Sequence, residues 1–363
     1  MKPSHPSRVR IGISGWTYAP WRGTFFPADL KQAGELAYAS RQVRSIEING
    51  TFYSLQRPAS FARWADDTPD DFVFAVKAPR FITHIKRLQD VRVPLANFFA
   101  SGLLRLGPKL GPILWQLPPS YRYRPEALES FLGLLPHDTT AAARIARDHD
   151  RRIVAPWPGA DRRRPLRHAL EIRHESFACA EFVAQLRRHG VALVVADTAG
   201  KWPLLEDITS DFVYVRLHGD EELYVSGYTP SALARWAEKI RQWSSGLAPA
   251  SGHLAGPRAK PRRAGRAVFV YFDNDVKVRA PYDAMRLAHL LGLGPAPGRP
   301  PDVARVTEVP RTRWPGWRSS GGRGRRLQPV VARGKSANAR TVNSSSPGHR
   351  RIARFPASAG IRS

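Results

Sequence analysis

The chain has 363 residues, 42% of them hydrophobic, and a formal net charge of +27, enough for a large core and for one to three domains. It holds no run of about eighteen apolar residues that would span a bilayer as a helix, and the opening MKPSHPSRVR lacks the apolar stretch of a secretory leader, so no membrane partner and a cytoplasmic location are expected. A single cysteine, Cys179, excludes an intramolecular disulfide framework and a zinc ribbon and is expected to be a small buried residue.

Eight apolar, β-rich runs follow in order, and most lead into a segment of helical period. Residues 9–16 are the first. Residues 45–53 are the second, with a helical segment near 60–67, and 72–80 are the third, with a helix over 95–106 that ends at the glycines of 107–111. Residues 113–121 form the fourth, and Pro125 opens the helix behind it. The fifth, HALEIRHESF at 168–177, reads as a buried strand, yet Ala169, Glu171 and Arg173 share one face by alternation. Its helix, 180–189, stops at Gly190. Residues 192–198 and 212–219 are the sixth and seventh, and Thr229 and Pro230 cap the helix at 231–243. Residues 267–275 are the eighth, with a helix at 282–291.

Eight strand and helix units in about 285 residues, with no hairpin between neighbours, predict a closed (β/α)8 TIM-type barrel over an open doubly wound sheet. Residues 1–293 are read as that single domain, interrupted at 244–266 by a basic loop rich in Gly, Pro and Ala. Past Gly294 the periodicity stops, and 294–363 reads as a disordered basic C-terminal tail rich in arginine. The tail carries 15 basic and 2 acidic residues, the 244–266 loop 5 basic and none acidic, and 140–168 8 basic and 3 acidic. The excess charge therefore lies at the periphery and says little about the body's own chemistry.

Seven ordered stretches, IGISGWTYAPWRGTFFP (11–27), EINGTFY (47–53), FAVKAPRFITH (74–84), GPILWQLPPSY (111–121), ALEIRHESF (169–177), YVRLHG (214–219) and YFDND (271–275), together resemble the YecE-like family, domain of unknown function seventy-two. The resemblance covers roughly the whole body. It implies a TIM-type barrel and carries over no settled activity, substrate or catalytic residue. Where many members have two asparagines after the eighth strand, this chain has Asp273 and Asn274, and Asp283 replaces another asparagine in the last helix.

Alternation puts polar groups on the lumen side of the strand ends: Ser14 and Trp16, Glu47 and Asn49, Lys77, Gln116, Glu171 and Arg173, Asp197, Arg216 and His218, and Asp273 with Asn274. That is the end at which barrel enzymes place their sites. Glu47 and Glu171 suit proton transfer with His218 assisting. Arg173, Arg216 and Lys77 suit a planar anion, and Trp16, Asn49, Gln116, Asp197, Asp273 and Asn274 complete the candidate ligand contacts. His84 and His174 are weaker candidates, and a Schiff base at Lys77 requires a lowered pKa that the sequence does not show. The strand-end carboxylates and histidine are donors that suit a divalent cation, but no metal motif is present and the cofactor stays unassigned. Asp148 and Asp150 lie among arginines and read as solvated surface.

Three functions stay open. The first is a protein that binds or transforms a small anionic, phosphorylated or sugar-containing ligand at the mouth. The second is a nucleic-acid-binding or nucleic-acid-processing protein, using the aromatics Trp16, Tyr18, Trp21, Phe25, Phe26, Phe52 and Tyr53 with the basic tail. The third is a noncatalytic structural barrel plugged by ion pairs. The oligomeric state is not legible.

Overall fold

In the computed structural model, which describes residues 8–298 apart from 250, 251 and 276, eight parallel strands pair in sequence order and the last returns to the first. These residues lie within the unit Met1–Val309; from 299 onward the expected tail lies outside the described residues. The strands are β1 (Val9–Ser14), β2 (Ser45–Ile48), β3 (Val73–Lys77), β4 (Leu110–Gln116), β5 (His168–Glu171), β6 (Ala192–Asp197), β7 (Phe212–Leu217) and β8 (Ala267–Phe272). The helices are α1 (Glu35–Gln42), α2 (Gly50–Tyr53), α3 (Pro58–Asp66), α4 (Arg92–Ala100), α5 (Pro125–Leu132), α6 (Thr139–Ala146), α7 (Ala180–Arg188), α8 (Pro230–Ser244) and α9 (Arg279–Leu290).

The strands are buried on both faces, as a parallel sheet wrapped in helices must be. Outward residues such as Ile13, Ile46, Trp115, Leu170, Val195, Val215 and Phe272 join the large core beneath the helices. Inward residues Ala75, Leu114, Ala169, Ala192, Val194, Ala196, Phe212, Tyr214, Phe269 and Tyr271 fill the lumen as a second, separate core. The barrel is thus a packed plug up to its last layer, where carboxylates and arginine meet; one layer below, the Ser45 and Tyr271 hydroxyls pair at 2.7 Å. Gly12 on β1 is part of that fit, because a Cβ would overlap the Ser45 carbonyl oxygen of β2.

Strand beginnings fall within three residues of those expected, but strand ends fall short. In β2, residues 50–53 turn into α2 instead of extending the strand, and β5 ends at Glu171, before Arg173. Helices α1 and α6 carry no expectation from the sequence. Between β6 and β7 the described residues form no α-helix, so the expected eight-fold strand and helix repeat has a loop there. Cys179 is half-buried at the start of α7, not buried. The described part of the 244–266 loop is tied down: Asp207 accepts from the backbone N–H of Ala255 at 2.8 Å and of Gly256 at 3.0 Å.

Candidate functional site

The last lumen layer is organised by Arg216 on β7, which is fully buried. Its Nε donates to Glu47 Oε2 at 3.1 Å and its Nη2 to Glu47 Oε1 at 2.9 Å, a bidentate fork. The same Nη2 donates to Asp273 Oδ2 at 2.8 Å. Nη1 donates to Glu171 Oε2 at 2.8 Å and, more weakly, to His218 Nε2 at 3.4 Å. A guanidinium has five N–H donors, and all five are taken within the protein. Arg216, expected to hold an anion, is therefore the hub of the cup and has no N–H left for a ligand.

Glu47 is equally enclosed. Besides Arg216 it accepts from Ser14 Oγ at 3.0 Å and from the Tyr214 hydroxyl at 2.6 Å. Glu171 takes Arg173 Nε at 2.7 Å on its other oxygen. Burial alone would raise the Glu171 carboxyl, but the charges of Arg173 and Arg216 outweigh it and hold it well below the usual range. Asp273 is pushed up by burial and pulled down further by Arg216 and His218, to about 2. His218 is fully buried; its Nδ1 lies 3.0 Å from Asp273 Oδ2 but without hydrogen-bond geometry. Burial and the Arg216 charge lower its pKa, so it is neutral at neutral pH.

Above this closed layer stand two cations with different surroundings. Lys77, at the end of β3, makes no ion pair or hydrogen bond through its ammonium with the described residues; its Nζ lies 4.5 Å over the Phe52 ring on α2. Burial first, and then the Arg216 charge, lower it to about 8. His84 stands edge-on to the same ring at 5.1 Å, and burial and the Lys77 charge lower it to about 4. Arg173 stacks over Trp202 at 3.9 Å and reaches the Tyr224 hydroxyl at 3.4 Å. Trp202 comes from the loop between β6 and β7, and Tyr224 from the loop after β7. Gly219 shapes that second loop, with φ +130° and a Cβ position that would overlap the Glu222 carbonyl oxygen.

A second carboxyl sits beside Asp273. Burial and the Asp273 charge raise Asp275 well above the usual range. It faces the Tyr18 hydroxyl, which donates to the Ser14 carbonyl at 2.5 Å. The sequence reading passed over Asp275, although it stands two residues after Asp273. Buried polar atoms without a hydrogen-bond partner among the described residues gather at this end: Asn49 Oδ1, Gln116 Oε1, His218 Nδ1 and Asp275 Oδ1.

Three expected contacts are not brought to the cup. Asp197 alternates outward on β6, where the lumen positions are Ala192, Val194 and Ala196, and it accepts from the Tyr228 hydroxyl at 3.1 Å. Asn274 donates to Asp283 Oδ2 and to the Ser226 carbonyl, both at 3.0 Å. Trp16, past a turn at Gly15 (φ +80°), packs edge-on against Trp64 of α3 at 5.5 Å. Trp21, Phe25 and Phe26 are buried in the outer core and offer no face for stacking a base. Of the weaker candidates, His174 accepts from the Ser176 N–H as the cap of a short turn, and Asp150 binds Asn97 and Arg152 at the periphery. Among the described residues no three His, Cys, Asp or Glu side chains are grouped to hold a metal ion; the cup's carboxylates converge on Arg216 instead.

A closed parallel barrel with a buried ionic layer at the C-terminal ends of its strands defines the class. Within it, the chain belongs to the family described as protein of unknown function DUF72, whose model matches residues 10–305. It is 31% identical over 134 residues to the UPF0759 protein YecE of Escherichia coli K12, covering 37% of this chain and 42% of that protein. Against UPF0759 protein YunF of Bacillus subtilis it is 25% identical over 123 residues, covering 32% and 43%. These matches span less than half the length of the curated relatives. Among solved structures, a DUF72 family protein of Thermotoga maritima superposes with a TM-score of 0.59 at 24% identity, over 78% of this chain and 99% of that one. One from Enterococcus faecalis gives 0.55 at 16%, over 80% and 99%. Both likenesses concern the fold.

Proposed function

We propose that the cup binds a small anionic ligand, phosphorylated or sugar-containing, between Lys77 and Arg173. The observation that carries this reading is the Lys77 ammonium: mostly buried, yet without a carboxylate or hydrogen-bond partner among the described residues, at an end where Asn49, Gln116, His218 and Asp275 also keep free polar atoms. A lysine so enclosed is costly unless something compensates it. A barrel plugged for stability alone would pair this lysine as it pairs Arg216.

Arg173 keeps N–H groups beyond those used by Glu171 and Tyr224. Its stacking on Trp202 holds the guanidinium plane in place for a bidentate anion. Proton transfer falls to Asp275, whose carboxyl is raised by burial and by Asp273 beside it; Glu47, Glu171 and Asp273 are paired with arginines and act as supports. Amides and the Tyr224 and Tyr18 hydroxyls suit the neutral, hydroxylated part of a ligand.

A thermal-shift series with ribose 5-phosphate, glucose 6-phosphate, AMP and a single-stranded oligonucleotide tests this. At a hundredfold excess over Kd, a bound sugar phosphate raises Tm by about 5 °C, and Lys77→Met and Arg173→Met each abolish the shift. Stabilisation by the oligonucleotide alone, persisting at physiological salt and in both variants, returns the reading to nucleic acid. No shift with any probe leaves the structural barrel.

A further inference from the structure

We infer that Lys77 is a nucleophilic amine that forms a Schiff base with the carbonyl carbon of an anionic aldehyde or ketone held in the cup. The inference rests on the anion-holding reading above and gives it a chemistry: Arg173 takes the ligand's charged end, and Lys77 faces its carbonyl.

The geometry sets Lys77 apart from the other cations of the cup. Arg216 and Arg173 each donate to carboxylates, whereas among the described residues the Lys77 amine meets the Phe52 ring and no carboxylate. A lysine ion-paired to a carboxylate is held protonated and is a poor nucleophile. One desolvated against an aromatic ring and set near a second cation is the arrangement that frees the amine. Both causes are present, burial and Arg216, and the amine titrates near pH 8 instead of 10.5. At pH 7 about one Lys77 in ten is then unprotonated, against fewer than about one in a thousand for an exposed lysine. The carboxylates beneath, Glu47, Glu171 and Asp273, are paired with Arg216 and Arg173, so they balance the charge of the region without capping the amine.

The step balances without an added oxidant or reductant. The Nζ lone pair attacks the carbonyl carbon, giving a carbinolamine whose oxygen takes a proton. That oxygen then leaves as water with the two hydrogens that began on the amine, and a C=N bond replaces the C=O bond. Asp275, whose carboxyl is raised by burial and the Asp273 charge, stands on the same rim to pass a proton to the departing oxygen.

Glyoxylate, an anionic aldehyde, is the probe, trapped with cyanoborohydride in the full-length protein and located by peptide mapping. The expected result is one carboxymethyl group on Lys77, formed at pH 7 about tenfold or more in excess of label on exposed Lys31 or Lys201, with a rate that levels off above about pH 8. Inorganic phosphate suppresses the labelling if the anion reading is also right. Label on Lys31 and Lys201 with Lys77 untouched overturns the inference. If glyoxylate then still raises Tm in the wild type and not in Lys77→Met, the cup binds anions without covalent chemistry; if it does not, both readings fall. Labelling of Lys77 that phosphate leaves unchanged sustains the Schiff base and removes the anion reading. The mapping is done on the unmodified chain, so it does not depend on a variant folding.

Discussion

Arg216 is the residue on which the site is built. Its single positive charge meets three carboxylates, Glu47, Glu171 and Asp273, inside the protein. Breaking a buried network by removing one partner leaves charge without compensation, at a cost of about 3–5 kcal/mol. Arg216→Met should lose that much stability in urea unfolding, while Arg216→Lys should lose less; a loss under about 1 kcal/mol for Arg216→Met contradicts the hub role. The acid limb gives an independent check. Asp273 titrates at about 2 in the fold and near 3.9 unfolded, and Glu171 is also depressed. Groups with lowered folded pKa stabilise above the unfolded value and lose that contribution as pH falls toward the folded one. Stability should therefore drop between about pH 4 and pH 2 in the wild type, and less steeply in Asp273→Asn.

At the scale of elements, the joint between β8 and α9 carries a different titration. Asp283 on α9 accepts from the Tyr228 N–H at 3.0 Å and from Asn274 at 3.0 Å, and burial raises its pKa to about 6. A carboxyl with raised folded pKa loses stability as pH climbs from the unfolded value to the folded one, and the deficit stays above that. Asp283→Asn keeps an acceptor and removes the charge. It should raise stability by about 2–3 kcal/mol at pH 8 and change little at pH 4, measured by thermal unfolding at both; an equal effect at both values contradicts a buried ionised carboxyl there.

The same scale explains what the sequence told and withheld. Eight apolar runs and their helices made the barrel legible, and alternation placed Glu47, Lys77, Gln116, Glu171, Arg216, His218 and Asp273 on the lumen side. It failed at Asp197 because β6 is apolar on both faces, so nothing in the sequence marks which is inward. It failed at Trp16 and Asn274 because alternation ends with the strand: Gly15 turns the chain, and past β8 the side chains follow the loop. Asp275 was missed because it stands three residues past the end of β8, beyond the stretch to which alternation was applied. That Arg216 has no free donor, and that the Lys77 ammonium has no carboxylate or hydrogen-bond partner among the described residues, are properties of three-dimensional packing that spacing does not encode.

For the whole molecule, the contrast is between a neutral cup and a basic exterior. In the cup, Arg216, Arg173 and Lys77 face Glu47, Glu171 and Asp273, with burial pushing His218 and Asp275 toward their neutral forms, whereas the chain's net charge of +27 comes mainly from peripheral segments. Electrostatic attraction to the exterior is long-ranged and screened by salt. Binding in the cup is local, desolvated and dependent on two side chains. No helix among the described residues is long and apolar enough to cross a membrane. The most direct test of the account is an anomalous difference map from crystals soaked in selenate, a phosphate-like anion. A peak is expected within hydrogen-bond distance of Lys77 Nζ and Arg173 Nη; peaks confined to the arginines of 140–168 and 244–266, with none at the barrel mouth, would contradict an anion-holding cup.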